Sequence, residues 1–144
     1  MVSLDLPALP DGAVDEARAV VTRIGSKTPP RFLEQVNAFK VLDVAARQGR
    51  PQEVEVQVIT LGPDIAWVSL PGEIFVELGM AIKRASPFRH TFINELANGS
   101  IGYIPDEAGF EQGNYEAVSA RCAKGSGERL ERSAVKLLKA TVQP

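Results

Sequence analysis

The sequence is poor in the side chains that most often ligate metals or act as nucleophiles: one histidine and one cysteine in 144 residues. With Cys122 as its single thiol, the chain can form neither an intrachain disulfide nor a paired-cysteine metal or redox motif. No base is placed beside that thiol by the sequence, so it reads as buried and inert. The lone imidazole, His90, cannot supply the two that zinc sites commonly use, and it falls inside a strand-like run, where it reads as structural. Excess positive charge is missing too. Lys and Arg number 16 against 18 Asp and Glu, a net charge of -2, which excludes the basic stripe that nucleic acid or an anionic membrane surface would require. No apolar run approaches the roughly 20 residues needed to span a bilayer. The opening MVSLDLPALPDG lacks the basic start and continuous apolar stretch of a signal peptide. Neither Ser69 nor Ser100 lies in a G-x-S-x-G nucleophile elbow. Gly125-Ser126-Gly127 precedes a helical pattern but lacks the rest of a phosphate-binding fingerprint.

What is present describes one soluble globular domain with a core of its own: 44% hydrophobic and 24% charged residues. Its 12 glycines and 10 prolines sit mostly between periodic segments, which predicts many short elements. The expected fold class is α/β, a mixed sheet of about three to five strands with helices packed on it. Residues 1–50 form a helical region. Residues 51–144 form a strand-helix-strand unit with site loops and a terminal helix.

Asp11 is positioned to cap a helix from about Gly12 to Ile24, and two prolines introduce a second from about Pro30 to Gln48, with Phe32, Val36, Phe39 and Ala46 among its apolar positions. Both are read as layers on a sheet. From Gln52 to Leu61, Val54, Val56 and Val58 alternate with Glu53, Glu55 and Gln57, the pattern of a half-exposed strand. The turn Gly62-Pro63-Asp64 leads into Ile65 to Leu70, an unbroken apolar run that reads as a more central strand. Pro71-Gly72 ends it. Ile74, Leu78, Ile82 and Ala85 then mark the stripe of a helix that stops at Ser86-Pro87. Phe88 to Leu96 reads as the next strand, parallel to Ile65–Leu70. Pro105 to Phe110 reads as a helical turn and Gly113 to Ala117 as an extended crossing, while Val118 to Gly127 has no assignment. Ser126 is positioned to cap a last helix ending near Thr141.

This arrangement brings Glu73 and the Asn98–Tyr103 loop to one edge of the sheet, where α/β folds gather ligands. Glu73 follows the Pro-Gly turn. Tyr103 and Tyr115, the chain's two tyrosines, each follow a glycine-containing turn. From position alone each keeps an ordinary alternative: Glu73 as a solvent-facing carboxylate in a helix's first turn, the tyrosines as rim aromatics with wet hydroxyls.

The same stretch resembles the carboxyl-terminal part of the catalytic domain of neutral, non-lysosomal ceramidases. In that family a strand ends in Pro-Gly-Glu before a helix, as in Pro71-Gly72-Glu73 here, and a second ends in a segment like G-L-A-N-x-x-x-x-Y-[IV]-T. Here that segment reads Glu95-Leu96-Ala97-Asn98-Gly99-Ser100-Ile101-Gly102-Tyr103-Ile104-Pro105. The family's Q-x-Y-E-[AG] element is matched by Gln112 and Tyr115-Glu116-Ala117. The resemblance covers roughly Val54 to Ala140. It implies Glu73 and Tyr103 as zinc ligands and Tyr115 as the hydroxyl that polarises a substrate amide, with an N-acyl lipid such as ceramide as the substrate of the parent enzyme. The family's histidine-rich segments, which carry the other ligands and the water-orienting histidine, have no counterpart here, and Pro105 replaces a common threonine. The implied function is the carboxyl-terminal portion of a zinc amidase, expected to be inactive as this isolated chain. The alternative is a non-catalytic module that self-associates or binds a partner, with the three residues as relics.

Overall fold

The structure, a computed structural model, describes residues 1–142. A short strand β1 (Val2–Leu4) opens the chain, followed by helices α1 (Ala13–Thr22) and α2 (Phe32–Ala46). Strands β2 (Gln52–Val54), β3 (Gln57–Leu61), β4 (Ile65–Ser69) and β5 (Glu73–Ile74) lead to helix α3 (Val76–Ala85). Strands β6 (His90–Asn94) and β7 (Tyr103–Ile104) precede helices α4 (Glu107–Gln112), α5 (Tyr115–Ser119) and α6 (Ser126–Thr141). The fold is α/β, with helices packed on mixed sheets of two and three strands.

The strand-helix-strand unit forms as its pattern predicts. Helix α3 carries the chain from β4 to β6, which lies parallel to β4 with Ile65 opposite His90 and Ser69 opposite Asn94. Strand β3 pairs antiparallel on the other side of β4. One face of this sheet, through Ala66 and Val68, is buried in a core with Leu78 and Ile82 of α3 and Leu130, Ala134 and Leu138 of α6. Removing that apolar surface from water is the main stabilising term, roughly 1.5–3 kcal/mol for each large side chain. The opposite face carries an apolar middle row that is only partly covered, with Ile59 and Phe92 exposed and Trp67 half-buried. Register aligns Ile59, Trp67 and Phe92 in one row, and the Trp67 and Phe92 rings stack with centroids 5.8 Å apart.

The expected strand from Gln52 to Leu61 keeps its alternation, with Val54 and Val56 buried, but it divides. Its first part, β2, pairs antiparallel with β1, and only its second part joins the central sheet. Strand β1 escapes a sequence reading because three residues before Pro7 show too little periodicity.

Helices α1 and α2 are less sheet-covering layers than a hairpin with a small core of its own, Ala17 against Ala38 and Val41. Beyond α1, the main contact of α2 is with α5. Phe32, Phe39 and Ala46, expected among the packing positions of α2, are exposed, and the buried ones are Ala38, Val41 and Val44. Apolar residues occupy both sides of this helix, so periodicity cannot choose the buried side. The small Ala17 and Ala38 allow the backbones to approach and decide it.

Two expected caps differ as well. Gly12, in the left-handed conformation at φ 80°, precedes α1 in place of an Asp11 cap, and Gly125 at φ 90° precedes α6 in place of Ser126. Gly127 is a packing glycine. A Cβ there would lie 2.5 Å from a Leu78 methyl and 2.9 Å from the Pro105 carbonyl oxygen, so its bare backbone lets α6 approach α3 and the end of β7.

Candidate functional site

The site begins just beyond the last paired residues of the central sheet. Past β4 the backbone keeps its pairing: Ala97 N–H donates to the Leu70 carbonyl at 3.0 Å and Ile101 N–H to the Pro71 carbonyl at 2.9 Å. Glu73 N–H then donates to the Gly102 carbonyl at 3.0 Å, and Phe75 N–H to the Ile104 carbonyl at 3.2 Å. Pro71-Gly72 therefore bends the ladder into the parallel pair β5–β7. Gly72 is needed for this, because a Cβ there would sit 2.7 Å from the Gly102 carbonyl oxygen.

In that pair Glu73 is the Cα partner of Tyr103, and Ile74 of Ile104. Side chains alternate across a strand, so the two isoleucines are buried in the core while Glu73 and Tyr103 share the half-buried opposite side. Glu73 thus lies in a strand and not at a helix start. Its own N–H and that of Phe75 are held by the Gly102 and Ile104 carbonyls, and the helix begins at Val76.

Tyr115 arrives by a different route. The segment expected to be extended is the short helix α5, whose first residue is Tyr115. Two turns of chain bring it back. Asp106 caps α4, accepting from Gly109 N–H at 2.8 Å, and the absent side chain of Gly109 makes room for the Phe75 ring. Gly113 at φ 67° then ends α4. The Tyr115 ring meets Tyr103 edge-on, with centroids 5.7 Å apart and planes at 75°. It also stacks on Phe32, the first residue of α2, at 5.8 Å and 19°. Glu73, Tyr103 and Tyr115 are therefore neighbours, and Phe32 extends them into a row.

The surroundings are negative. The Tyr103 phenol is pushed above its ordinary range, chiefly by the Glu73 carboxylate beside it. Glu95 is a further member that sequence spacing does not reveal. Leu96 N–H donates to the Gly72 carbonyl at 3.3 Å, which brings Glu95 alongside Glu73. Partial desolvation raises the carboxyl of the exposed Glu95, against a lowering contribution from the Ile74 N–H, and the charge of Glu73 adds to the rise. The adjoining loop is strained: Leu96 at φ 52° and Asn98 at φ 60° occupy the left-handed region without being glycine.

Other sequence candidates lie outside the site. His90 starts β6, at the opposite end of that strand from the Asn94 side where the site lies, and is exposed. Cys122 is buried, and burial pushes its thiol up to about 11. As metal donors, a carboxylate and a phenol are suited to zinc, yet two donors do not fill the three or four protein positions that zinc sites use. Among the described residues no group of three or more His, Cys, Asp or Glu side chains is arranged to hold a metal ion, and no helix is long and apolar enough to cross a membrane.

The sequence matches no family model and no curated protein. Among solved structures the fold has counterparts. The crystal structure of neutral ceramidase from Pseudomonas aeruginosa aligns over 96% of this chain and 24% of its own, with a TM-score of 0.57 at 17% identity. A ceramidase complexed with C2 aligns over 59% of this chain and 14% of its own, with a TM-score of 0.54 at 22% identity. The chain therefore has the fold of a portion of a neutral ceramidase, and it spans about a quarter or less of those chains' length.

Proposed function

We propose that this chain is the carboxyl-terminal portion of a neutral ceramidase-like zinc amidase, which hydrolyses the amide of N-acyl lipids such as ceramide, and that it is inactive in isolation. The observation that carries this reading is the pairing of Glu73 with Tyr103 across β5–β7, with the Tyr115 ring against Tyr103. Glu73 and Tyr103 supply two oxygen donors, and the remaining ligands, including imidazole, come from polypeptide outside this chain. Tyr115 is the donor whose hydroxyl meets the amide oxygen as negative charge develops there. Zinc bound in a complete site supplies an acidified water and polarises the carbonyl. Shared fold with the two ceramidases supports the class, and the order of the three residues supports their roles.

The test is metal uptake by the purified chain and its variants. Wild type should take up zinc weakly and cleave no N-acyl sphingoid substrate, because half a ligand set loses much of the binding energy. Glu73→Gln and Tyr103→Phe should each abolish that weak uptake. Uptake unchanged in both variants would remove the metal-site reading.

A second reading is favoured by the partly covered sheet face: a non-catalytic module that self-associates or binds a partner. Ile59, Leu61 and Phe92 are 54%, 63% and 47% exposed on that face, and contiguous apolar surface of this kind marks an interaction site. Sedimentation distinguishes the readings. A stable dimer that buries Trp67 favours the module, whereas a monomer that associates with the remainder of a ceramidase-like domain favours the enzyme portion.

A further inference from the structure

We infer that Phe32 is a positioning residue for Tyr115, through which the α1–α2 hairpin sets the direction of the Tyr115 hydroxyl at the Glu73–Tyr103 edge. The inference rests on the reading of Tyr115 as the hydroxyl that meets the substrate amide, and its structural part can fail or stand independently.

Phe32 is in an unusual position for a phenylalanine. It is 65% exposed, yet its ring stacks on Tyr115. An exposed ring contributes little to a core. Its surroundings hold it in one place. Pro30 is buried just before it. Glu34 accepts from the Arg31 backbone N–H at 3.0 Å and from Arg31 Nε at 3.1 Å. Gln35 Nε2 donates to the Pro30 carbonyl at 2.8 Å. The entry to α2 is thereby pinned on both sides of Phe32, and the ring projects from a fixed backbone.

Tyr115 is held far less firmly. It is the first residue of a five-residue helix and is itself 38% exposed. Its ring lies between two others, Tyr103 edge-on and Phe32 face-on. Tyr103 is fixed by the β5–β7 ladder, so Phe32 is the second wall that selects the rotamer of Tyr115. Side chains of a working site need rotamers locked by neighbouring packing, and a short surface helix does not provide that alone. The row Phe32–Tyr115–Tyr103 therefore joins three distant parts of the sequence: the start of α2, the start of α5 and β7.

The experiment uses the 144-residue chain with labelled aromatic rings, in which the two tyrosines give two resolvable ring spin systems. Wild type should show ring-to-ring nuclear Overhauser effects from Phe32 to Tyr115 and from Tyr115 to Tyr103. In Phe32→Leu the Tyr115–Tyr103 effect should disappear and the Tyr115 ring resonances should move toward unfolded values, while Tyr103 keeps its shifts. Phe32→Trp should restore the contact. Phe39→Ser, on the same helix, is the control and should change neither tyrosine. Methyl signals from Ala38 and Val41 report whether the hairpin remains folded, and Phe32→Met provides a ring-free variant of similar volume if it does not. A Tyr115 ring that stays on Tyr103 in Phe32→Leu or Phe32→Met overturns the inference. Zinc uptake should be equal in wild type and Phe32→Leu, so loss of the metal reading and loss of the positioning role are separable results.

Discussion

Glu73 and Tyr103 are Cα partners in a two-residue parallel ladder, 30 positions apart in sequence and locked by the bond from Glu73 N–H to the Gly102 carbonyl. Their backbones are separated by the inter-strand spacing of about 4.8 Å. The carboxylate and the phenol are therefore juxtaposed by main-chain geometry before any side chain is chosen. A bend at Pro71-Gly72 and a loop from Glu95 to Gly102 are what bring them there.

The first prediction concerns protonation. The Glu73 carboxylate raises the Tyr103 phenol above its ordinary value of 10.0, so Glu73→Gln should lower it back toward that value. The sign for stability comes from the folded state favouring the neutral phenol. The contribution is fully present below the unfolded value and is lost as pH rises through the folded one. Near-ultraviolet titration should show the Tyr103 phenol ionising at lower pH in Glu73→Gln than in wild type. Titration curves identical to wild type would rule out the contact.

Gly72 provides the second prediction. The 2.7 Å approach of a Cβ to the Gly102 carbonyl oxygen involves backbone on one side, and backbone cannot swing away. Gly72→Ala should destabilise the chain by about 1–3 kcal/mol, the usual cost of overpacking. It should also weaken protection of the Glu73 and Phe75 amides from hydrogen exchange. Denaturant unfolding and amide exchange measure the two effects, and protected amides in a stable variant would count against the bend as described.

How much of this is legible in the sequence differs by element. The β4–α3–β6 unit can be read because the apolar run Ile65–Leu70, the spacing of Leu78 and Ile82, and the stop at Ser86-Pro87 are local signals. Glu73 and Tyr103 can be brought to one edge by the same reasoning. Strands β5 and β7 cannot, because two residues carry no period and exist only through each other. Helix α5 reads as extended because Gly113-Asn114 signals a turn without specifying the conformation of the residues after it. Phe32 looks like one more core position of α2, and its partner Tyr115 is 83 residues away; no local pattern encodes that stacking. Glu95 is similar, as its place beside Glu73 depends on the left-handed Leu96.

Cys122 supports a third prediction. Its thiol is buried and pushed up to about 11 from 9.0, chiefly by burial and against the opposing charges of Arg47 and Arg121. Only the thiolate reacts readily. In the native chain at pH 8 a thiol reagent should therefore label Cys122 far more slowly than in denaturant. The neutral thiol is favoured by folding, so its contribution to stability is present below about 9 and is lost as pH rises through about 11. Rapid labelling of the native chain at pH 8 would contradict the burial.

The partly covered sheet face gives a fourth. Ile59 and Phe92 flank Trp67 across the register, and Trp67 is the chain's single tryptophan. If the face is an interface, Ile59→Ser with Phe92→Ser should abolish association while leaving folding nearly intact, since the core lies on the other side of the sheet. Tryptophan emission should shift to the blue on association in wild type and stay constant with concentration in the double variant. Association that persists in the double variant would assign it to another surface.

The last prediction separates the proposed roles of the three site residues. Glu73 and Tyr103 are proposed to hold metal, and Tyr115 to donate to the oxygen of the amide. Metal content and turnover should therefore divide. In the assembled amidase that the proposed function requires, Glu73→Gln and Tyr103→Phe should lose zinc and activity together. Tyr115→Phe removes only a hydroxyl, and its ring can still stack between Phe32 and Tyr103. It should keep its zinc while turnover falls by about 10²–10³, the scale of losing one donor to a developing oxyanion. The fall should appear in kcat more than in KM, because the hydrogen bond strengthens as charge reaches the oxygen. Metal analysis paired with steady-state hydrolysis of an N-acyl sphingoid substrate makes the comparison. A Tyr115→Phe enzyme with full turnover would leave the ring as packing and remove the hydroxyl from the mechanism.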